Sequence, residues 1–180
     1  MVSIWLLENA LVFIALPLLI NGMRHLRFSD ASYLALFVFF GFHAIGAHYT
    51  YSEVPYDAWA QRFTGVSIDA LFGFERNQYD RAVHFLYGLL ITPAAAELIK
   101  KVGAPRGVWR WLLTLSFMMS HSLAYELIEW AAAVVFGSDL GIAYLGTQGD
   151  VWDAQKDGAL ATLGSIIALA VIGVRGRRNE

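Results

Sequence analysis

"SYLALFVFFGFHAIGAHY", residues 32–49, runs its whole length without an Asp, Glu, Lys or Arg. A helix needs about 20 mostly apolar residues to cross the hydrocarbon core of a bilayer, so this stretch reads as a membrane span and decides the fold class. Working outward, four more runs qualify, at about 3–22, 81–99, 108–136 and 157–174. The 180-residue chain is 57% hydrophobic and 16% charged, with mean hydropathy +0.50. A soluble domain would carry about 25% charged residues. The expectation is an all-α polytopic membrane protein, one domain over 1–180, with a bundle of about five transmembrane helices. Pro17 and Pro93 are expected to kink the first and third spans, which is tolerated where neighbours re-satisfy the backbone. The last span, "GALATLGSIIALAVIGV" (158–174), is rich in Gly and Ala, which suits close helix–helix packing.

Composition also excludes. A net charge of −2 argues against a nucleic-acid partner. The absence of cysteine removes disulfide scaffolds and thiolate metal sites. The N-terminal "MVSIWLLENALVFIALPLLINGM" has no basic n-region and no small-residue cleavage site, so it reads as a retained span.

Loop charges set the expected orientation, because Lys and Arg stay preferentially on the cytoplasmic side. Arg24 and Arg27 mark the first loop; Lys100, Lys101, Arg106 and Arg110 the third; Arg175, Arg177 and Arg178 the C-terminal tail. These segments hold nine of the 13 basic residues and alternate with more acidic loops. The N-terminus is therefore expected outside and the C-terminus inside. The outer loop at 50–80 is rich in Tyr, Phe and Trp, fitting an interfacial lid with a short amphipathic helix.

On this orientation, four spans carry ionisable groups to the outer end. His43 and His48 lie in the outer half of the second span, and Asp80, Arg81 and His84 in the first turns of the third. On the fourth, Glu126 and Glu129 lie within about two turns of the outer interface marked by Trp130, and His121 about 13 Å below it. Asp150, Asp153 and Asp157 stand at the outer mouth of the fifth. Asp80 and His84 share a helix face, as do Glu126 and Glu129. His121 and Glu129 are about 12 Å apart along their helix and cannot ligate one ion. His43 and His48 stand about 140° apart around theirs, so they need not share a site.

Ionisable groups in a membrane are costly and usually pair, face a cavity or bind something. Arg81 and Lys156 are too few counter-ions for so many acids, which leaves protons or a cation to neutralise them. Oxygen and imidazole ligands without thiolate suit Zn²⁺, Mn²⁺, Mg²⁺ or Ca²⁺. The expected metal ligands are Asp80, His84, Glu129, Asp150, Asp153 and Asp157, and the expected catalytic, proton-moving groups are His121, Tyr125 and Glu126. Blander readings stand beside these: an Arg81–Asp80 interfacial ion pair, a hydrogen-bonded core His121, and Glu97 reaching toward Lys100 and Lys101. Glu8 is isolated in the first span, and both bundle-facing and interface-facing placements stay open. No H-E-x-x-H motif and no nucleophile elbow occurs.

"HYTYSEVP" (48–55), "RNQYDRAVHFLYGLLITP" (76–93), "YELIEW" (125–130) and "LGTQGDVWDAQKDGALA" (145–161) resemble the bacterial inner-membrane YjdF family. The resemblance runs from about 30 to 172 and implies a multi-pass membrane protein of the bacterial inner membrane, without supplying a reaction. Members of that family carry one more N-terminal span, and Gly158 here replaces a commoner Met. The order D-x-x-x-H, then Glu on the next span, then acids before a Gly-rich last span is also similar to VanZ-like proteins.

The functional expectation is a divalent-metal-dependent hydrolase or transferase acting on a lipid or lipid-linked headgroup, with a cation-activated water as nucleophile. The alternatives are a small-solute or cation- and proton-coupled transporter, or a non-enzymatic membrane binding or assembly protein. A polar track below His121 would favour transport, a closed apolar floor an enzyme, and a flat outer surface a binding protein.

Overall fold

The computed structural model describes residues 2–136 and 145–178. Residues 137–144 of the fourth loop lie outside the described residues. The first span is two helices, α1 (Val2–Glu8) and α2 (Ala10–His25), broken at Asn9. Pro17 sits inside α2 without ending it. The second span is α3 (Asp30–Tyr49). The segment between α3 and the next long helix folds as a 3₁₀ turn (Tyr51–Glu53) and two short helices, α4 (Tyr56–Thr64) and α5 (Ile68–Phe72). Three long helices follow, α6 (Tyr79–Gly103), α7 (Val108–Phe136) and α8 (Asp153–Arg178). No strand occurs among the described residues.

Four stretches are long and apolar enough to cross a membrane: Trp5–Gly22, Asp30–Tyr49, Tyr79–Gly103 and Asp153–Arg175. At 29 residues α7 is also long enough, but His121, Glu126, Glu129 and its serines keep its hydropathy below theirs. The side-chain distribution is that of a protein dissolved in hydrocarbon. Large apolar residues such as Phe37, Leu34 and Leu123 point outward, whereas Ser32, Thr92, Thr114, Ser122 and Ser165 are buried. The inward hydroxyls of Thr92, Thr114 and Ser165 donate to carbonyls four residues back on their own helices, so their burial leaves no donor unsatisfied.

The tightest packing is between α6 and α8. A Cβ on Gly88 would come within 1.9 Å of the Ala161 carbonyl oxygen, and one on Gly164 within 2.3 Å of the Phe85 carbonyl oxygen. The two backbones touch where neither has a side chain, as small-residue membrane interfaces do. Asp153, Asp157, Ala161, Ser165 and Ala168 form the buried stripe of α8. On α6 the matching stripe is His84, Gly88, Thr92 and Ala95.

Each end is pinned by polar contacts. At one end, Ser29 caps α3, and Glu97 accepts from the Ser29 backbone N–H (2.8 Å), the Ser29 hydroxyl (2.6 Å) and the Ser32 hydroxyl (2.8 Å). Glu97, expected to reach toward Lys100 and Lys101, lies within electrostatic reach of Lys101 and through its hydrogen bonds ties α6 to the start of α3. Lys101 donates to the carbonyls of Leu26 and Arg27, closing the connection between α2 and α3. At the other end, Asn77 donates to the Val54 carbonyl (2.8 Å) and exchanges hydrogen bonds with Gln148. The Tyr56 hydroxyl donates to Asp69 (2.5 Å) and accepts from the Gln78 N–H. Burial and the Asp69 hydrogen bond push that hydroxyl up to about 12.

Replacing Gly88 with Val should separate α6 from α8 and lower stability by about 1–3 kcal/mol or more, the usual range for overpacking. A fall in the thermal unfolding midpoint in detergent, with a matching effect of Gly164→Val, is the expected result. Gly158→Val, where a Cβ meets nothing within 4 Å, should be tolerated.

Candidate functional site

The α6–α8 crossing sets the register of the acids. Four residues before Gly88 is His84, and four before Ala161 is Asp157. One further turn up stands Asp80, on the same face as His84. In consequence Asp80, His84 and Asp157 each offer a ligand atom, and all three atoms lie within 4.8 Å of one another. Glu126 joins from α7. The His84 Nε2 is 3.6 Å from Asp80 Oδ1 and 3.6 Å from Glu126 Oε1. Both distances exceed a hydrogen bond, yet they match two atoms sharing an ion about 2.1 Å from each.

Two of these oxygens are orphans. Asp157 Oδ1 and Glu126 Oε1 are buried with no hydrogen-bond partner in the protein, and Asp157 is 2% exposed. Leaving a buried carboxylate oxygen unpartnered is costly, and a divalent cation would satisfy both at once. Two or three carboxylates with one imidazole, and no thiolate, fit Zn²⁺, Mn²⁺ or Mg²⁺.

Glu129 and Tyr125 stand behind this group. The Tyr125 hydroxyl donates to Glu129 one turn away on α7, and the Tyr125 ring lies edge-on to His84 at 5.9 Å. Glu129 is therefore held by Tyr125 rather than placed among the three closest ligand atoms. Glu8, left open by its sequence context, faces the bundle. It is 3% exposed, its Oε2 has no hydrogen-bond partner, and it lies within electrostatic reach of Asp80 and Glu129.

Asp150 and Asp153, expected as ligands, are engaged elsewhere. Asp153 accepts from both terminal nitrogens of Arg76 (2.5 and 3.3 Å) and from Arg81 (3.3 Å). Asp150 pairs with Arg81 and with Lys156 (2.5 Å). These five groups clasp the segment before α8 to the start of α6. The reason is Arg76, which also donates to the Thr147 carbonyl (3.0 Å) and adds a counter-ion where Arg81 and Lys156 alone would not suffice. Arg81 thus pairs across helices rather than with its neighbour Asp80. The Lys156 hydrogen bond, with further ones from the Trp152 N–H and Arg81, holds the Asp150 carboxyl down to about 2.

Below the acids lies a cavity of about 270 Å³, bounded by α2, α3, α6 and α7. Asp80, His84 and Tyr125 line its upper end, and His43, His121 and Ser122 its middle. His121, expected to move protons at the acids, is instead stacked on Tyr87, whose hydroxyl lies 2.8 Å from His121 Nδ1. His43 is matched in the same way by Tyr51, at 2.5 Å from Nδ1. Burial raises the Tyr51 hydroxyl well above its ordinary value, so it keeps its proton and shares one hydrogen bond with His43 Nδ1. The Tyr51 contact depends on a left-handed turn at Thr50 and Tyr51 (φ 59° and 25°), and on Gly46, where a Cβ would meet the Tyr51 ring at 2.6 Å. His48 makes no such contact; its ring lies against Tyr49.

The residues that sequence spacing missed are Glu8, Arg76, Tyr51 and Tyr87. Arg76 and Tyr51 fall within the stretches that carry the YjdF resemblance, "RNQYDR" and "HYTYSEVP". The motifs meet in space: the outer-end hydrogen bonds join Val54, Asn77, Gln148 and Asp153.

The family model described as a predicted membrane protein (DUF2238) matches residues 2–178. The chain belongs to the DUF2238 family. Among curated proteins, the inner membrane protein YjdF of Escherichia coli K12 is 33% identical over 163 residues, covering 90% of this chain and 74% of YjdF. No solved structure matches. This DUF2238 chain is a multi-pass helical membrane protein, as its apolar helices require. The acid–histidine cluster, the arginine clasp and the cavity all lie within the matched range.

The depressed Asp150 carboxyl predicts an acid-labile clasp. A carboxyl held below its ordinary 3.8 contributes stability above about pH 4, which is lost between about 4 and 2. Hydrogen exchange at the amides of 146–153, corrected for intrinsic pH dependence, should quicken across that window. Asp150→Asn should exchange faster above about pH 4, converge on the wild type near pH 2 and lose the step; a flat wild-type profile would contradict the assignment.

Proposed function

We propose that this chain is an inner-membrane enzyme that crosses the bilayer five times, with its N-terminus outside and its C-terminus in the cytoplasm. It would hold a divalent cation between Asp80, His84 and Asp157, with Glu126 beside it, and hydrolyse or transfer a lipid or lipid-linked headgroup. The inner-membrane placement follows its relative YjdF. The orientation rests on the nine Lys and Arg residues in alternate connections. The fifth crossing rests on α7, whose 29 residues span about 43 Å, ample for a core of about 30 Å. Its Glu126 faces His84 of α6, and its His121, Ser122 and Tyr125 line the cavity.

The observation that carries the chemistry is the meeting of Asp80, His84, Asp157 and Glu126, two of them with orphan oxygens, at the mouth of an apolar cavity. When bound, a cation there supplies Lewis acidity toward a phosphoryl or acyl oxygen. Glu126 lies within reach to accept the proton of the attacking water. The bond from headgroup to lipid oxygen breaks, and Glu126 returns the proton to the leaving oxygen. Glu129, held by Tyr125, stands on the next turn of α7 and adds negative charge beside Glu126. Below His121 the cavity is lined by residues such as Leu36, Ile91 and Leu98. That apolar floor supports an enzyme over a transport path, which would need polar groups continuing to the inner side.

Metal content of the purified protein tests this reading. The wild type should carry about one Zn²⁺, Mn²⁺ or Mg²⁺ per chain, as a site with three protein ligands would. Asp157→Asn combined with His84→Gln should remove it, whereas Asp150→Asn should keep it. Equal metal in all three would sink the proposal. The topology has its own check, since the chain lacks cysteine. In intact cells a membrane-impermeant maleimide should label Gln61→Cys but reach Arg106→Cys only after permeabilisation; the reverse pattern would invert the orientation.

A further inference from the structure

The cavity is longer than its acid end requires. On α6 its lining runs from Asp80 to Leu98, a rise of about 27 Å, nearly the depth of a hydrocarbon core of about 30 Å. Along that length its character changes in three steps. The top presents Asp80, His84 and Tyr125. The middle presents two tyrosine–histidine pairs, Tyr51–His43 and Tyr87–His121. The remainder is hydrocarbon-like, with Leu19, Leu36, Phe40, Ile91 and Leu98.

The lower part of this cavity of about 270 Å³, lined by Leu19, Leu36, Phe40, Ile91 and Leu98, offers water no hydrogen-bond partners and does not fill stably with it. Left empty it forfeits the dispersion contacts of its lining. The surrounding solvent that can supply them is the acyl chain of a lipid. The walls also differ in how firmly they are held. In α3, α6 and α8, 28–33% of the membrane-crossing stretch is buried, against 6% over Trp5–Gly22, where the buried residue is Glu8 of α1; α2 lines the cavity only through the half-buried Val12, Ala15 and Leu19. α3 and α7 both pack on α6, and α2 lies across the gap between them. The loosely packed wall is the one a lipid can pass.

The middle tier adds a polar requirement. Each histidine gives its Nδ1 to a tyrosine hydroxyl, and the buried His43 Nε2 has no partner in the protein. Where Tyr51 donates to Nδ1, that Nε2 carries the hydrogen and needs an acceptor.

We propose that this slot takes one hydrocarbon chain of a membrane lipid, admitted past α2, with an acceptor oxygen of that lipid against His43 and its headgroup at the acids. The proposal rests on the reading of Asp80, His84 and Asp157 as the reacting centre, and it narrows the substrate to a long-chain amphiphile lying within the bundle. Specificity then has two parts: the slot measures the chain, and the histidine tier selects a lipid with an oxygen at that depth.

The test uses the full chain in vesicles of phosphatidylethanolamine and phosphatidylglycerol. The probe is a phosphatidylethanolamine carrying a photoreactive diazirine at the end of one acyl chain. Mass spectrometry should find adducts on the slot residues Phe40, Ile91 and Leu98 as well as on the outward-facing Phe37 and Leu34. Ala95→Phe and Ala15→Phe each fill the slot, the second from the loosely packed α2 so that folding is spared. Either should cut labelling of Ile91 several-fold, leave Phe37 unchanged and retain the cation. Wild-type labelling confined to Phe37 and Leu34 overturns the slot while leaving the cation site standing. A slot closed by a helix of a second copy would also leave Ile91 unlabelled and overturn it. Slot labelling without any bound cation keeps the slot and removes the metal reading on its own.

Discussion

The contact between Gly88 on α6 and Ala161–Gly164–Ser165 on α8 is the constraint on which the rest of the structure depends. It brings two backbones together with no side chain between them and so fixes their register. One turn toward the outer loop segment, that register sets His84 opposite Asp157. A further turn up it allows Arg76 and Arg81 to reach Asp153. Moving one helix by a single residue would swing Asp157 about 100° away from His84. The site is thus a consequence of small residues about 6 Å further along each helix, and the carboxylates' mutual repulsion is held in check by backbone packing rather than by their own contacts.

Charge is sorted in two layers around this crossing. In the outer one, Arg76, Arg81 and Lys156 neutralise Asp150 and Asp153. In the inner one, Glu8, Asp80, Glu126, Glu129 and Asp157 face a single imidazole, His84. The layers have opposite uses. The outer layer is satisfied within the protein and holds the loop before α8 in place. The inner layer leaves an oxygen each of Glu8, Glu126 and Asp157 without a partner in the protein, and a divalent cation is the counter-charge that the geometry of Asp80, His84 and Asp157 fits.

How much of this is legible in the sequence follows from the physics of each part. The spans can be read because hydrocarbon imposes length and polarity on every crossing segment. The ends of α6 and α8 run past the apolar core, carrying Asp80 and Asp153 in their first turns. Asp80, His84 and Asp157 can be grouped because the loop charges and the four-residue spacing act on them directly. Asp150 and Asp153 cannot be assigned that way, because their partner Arg76 reaches them through the fold of a connecting segment. Glu8 is illegible for a related reason: nothing within its own helix tells which neighbour it faces. The Tyr51–His43 pair needs the left-handed turn after α3, which no periodicity announces.

The central claim is that one cation binds at His84 with the carboxylates around it, and pulsed electron paramagnetic resonance of the Mn²⁺-loaded protein tests it most directly. A directly bound imidazole gives a ¹⁴N coupling in the modulation pattern. That coupling should be present in the wild type, persist in His121→Gln and His43→Gln, and vanish in His84→Gln. A spectrum without nitrogen coupling, or a coupling that survives His84→Gln, would contradict the account.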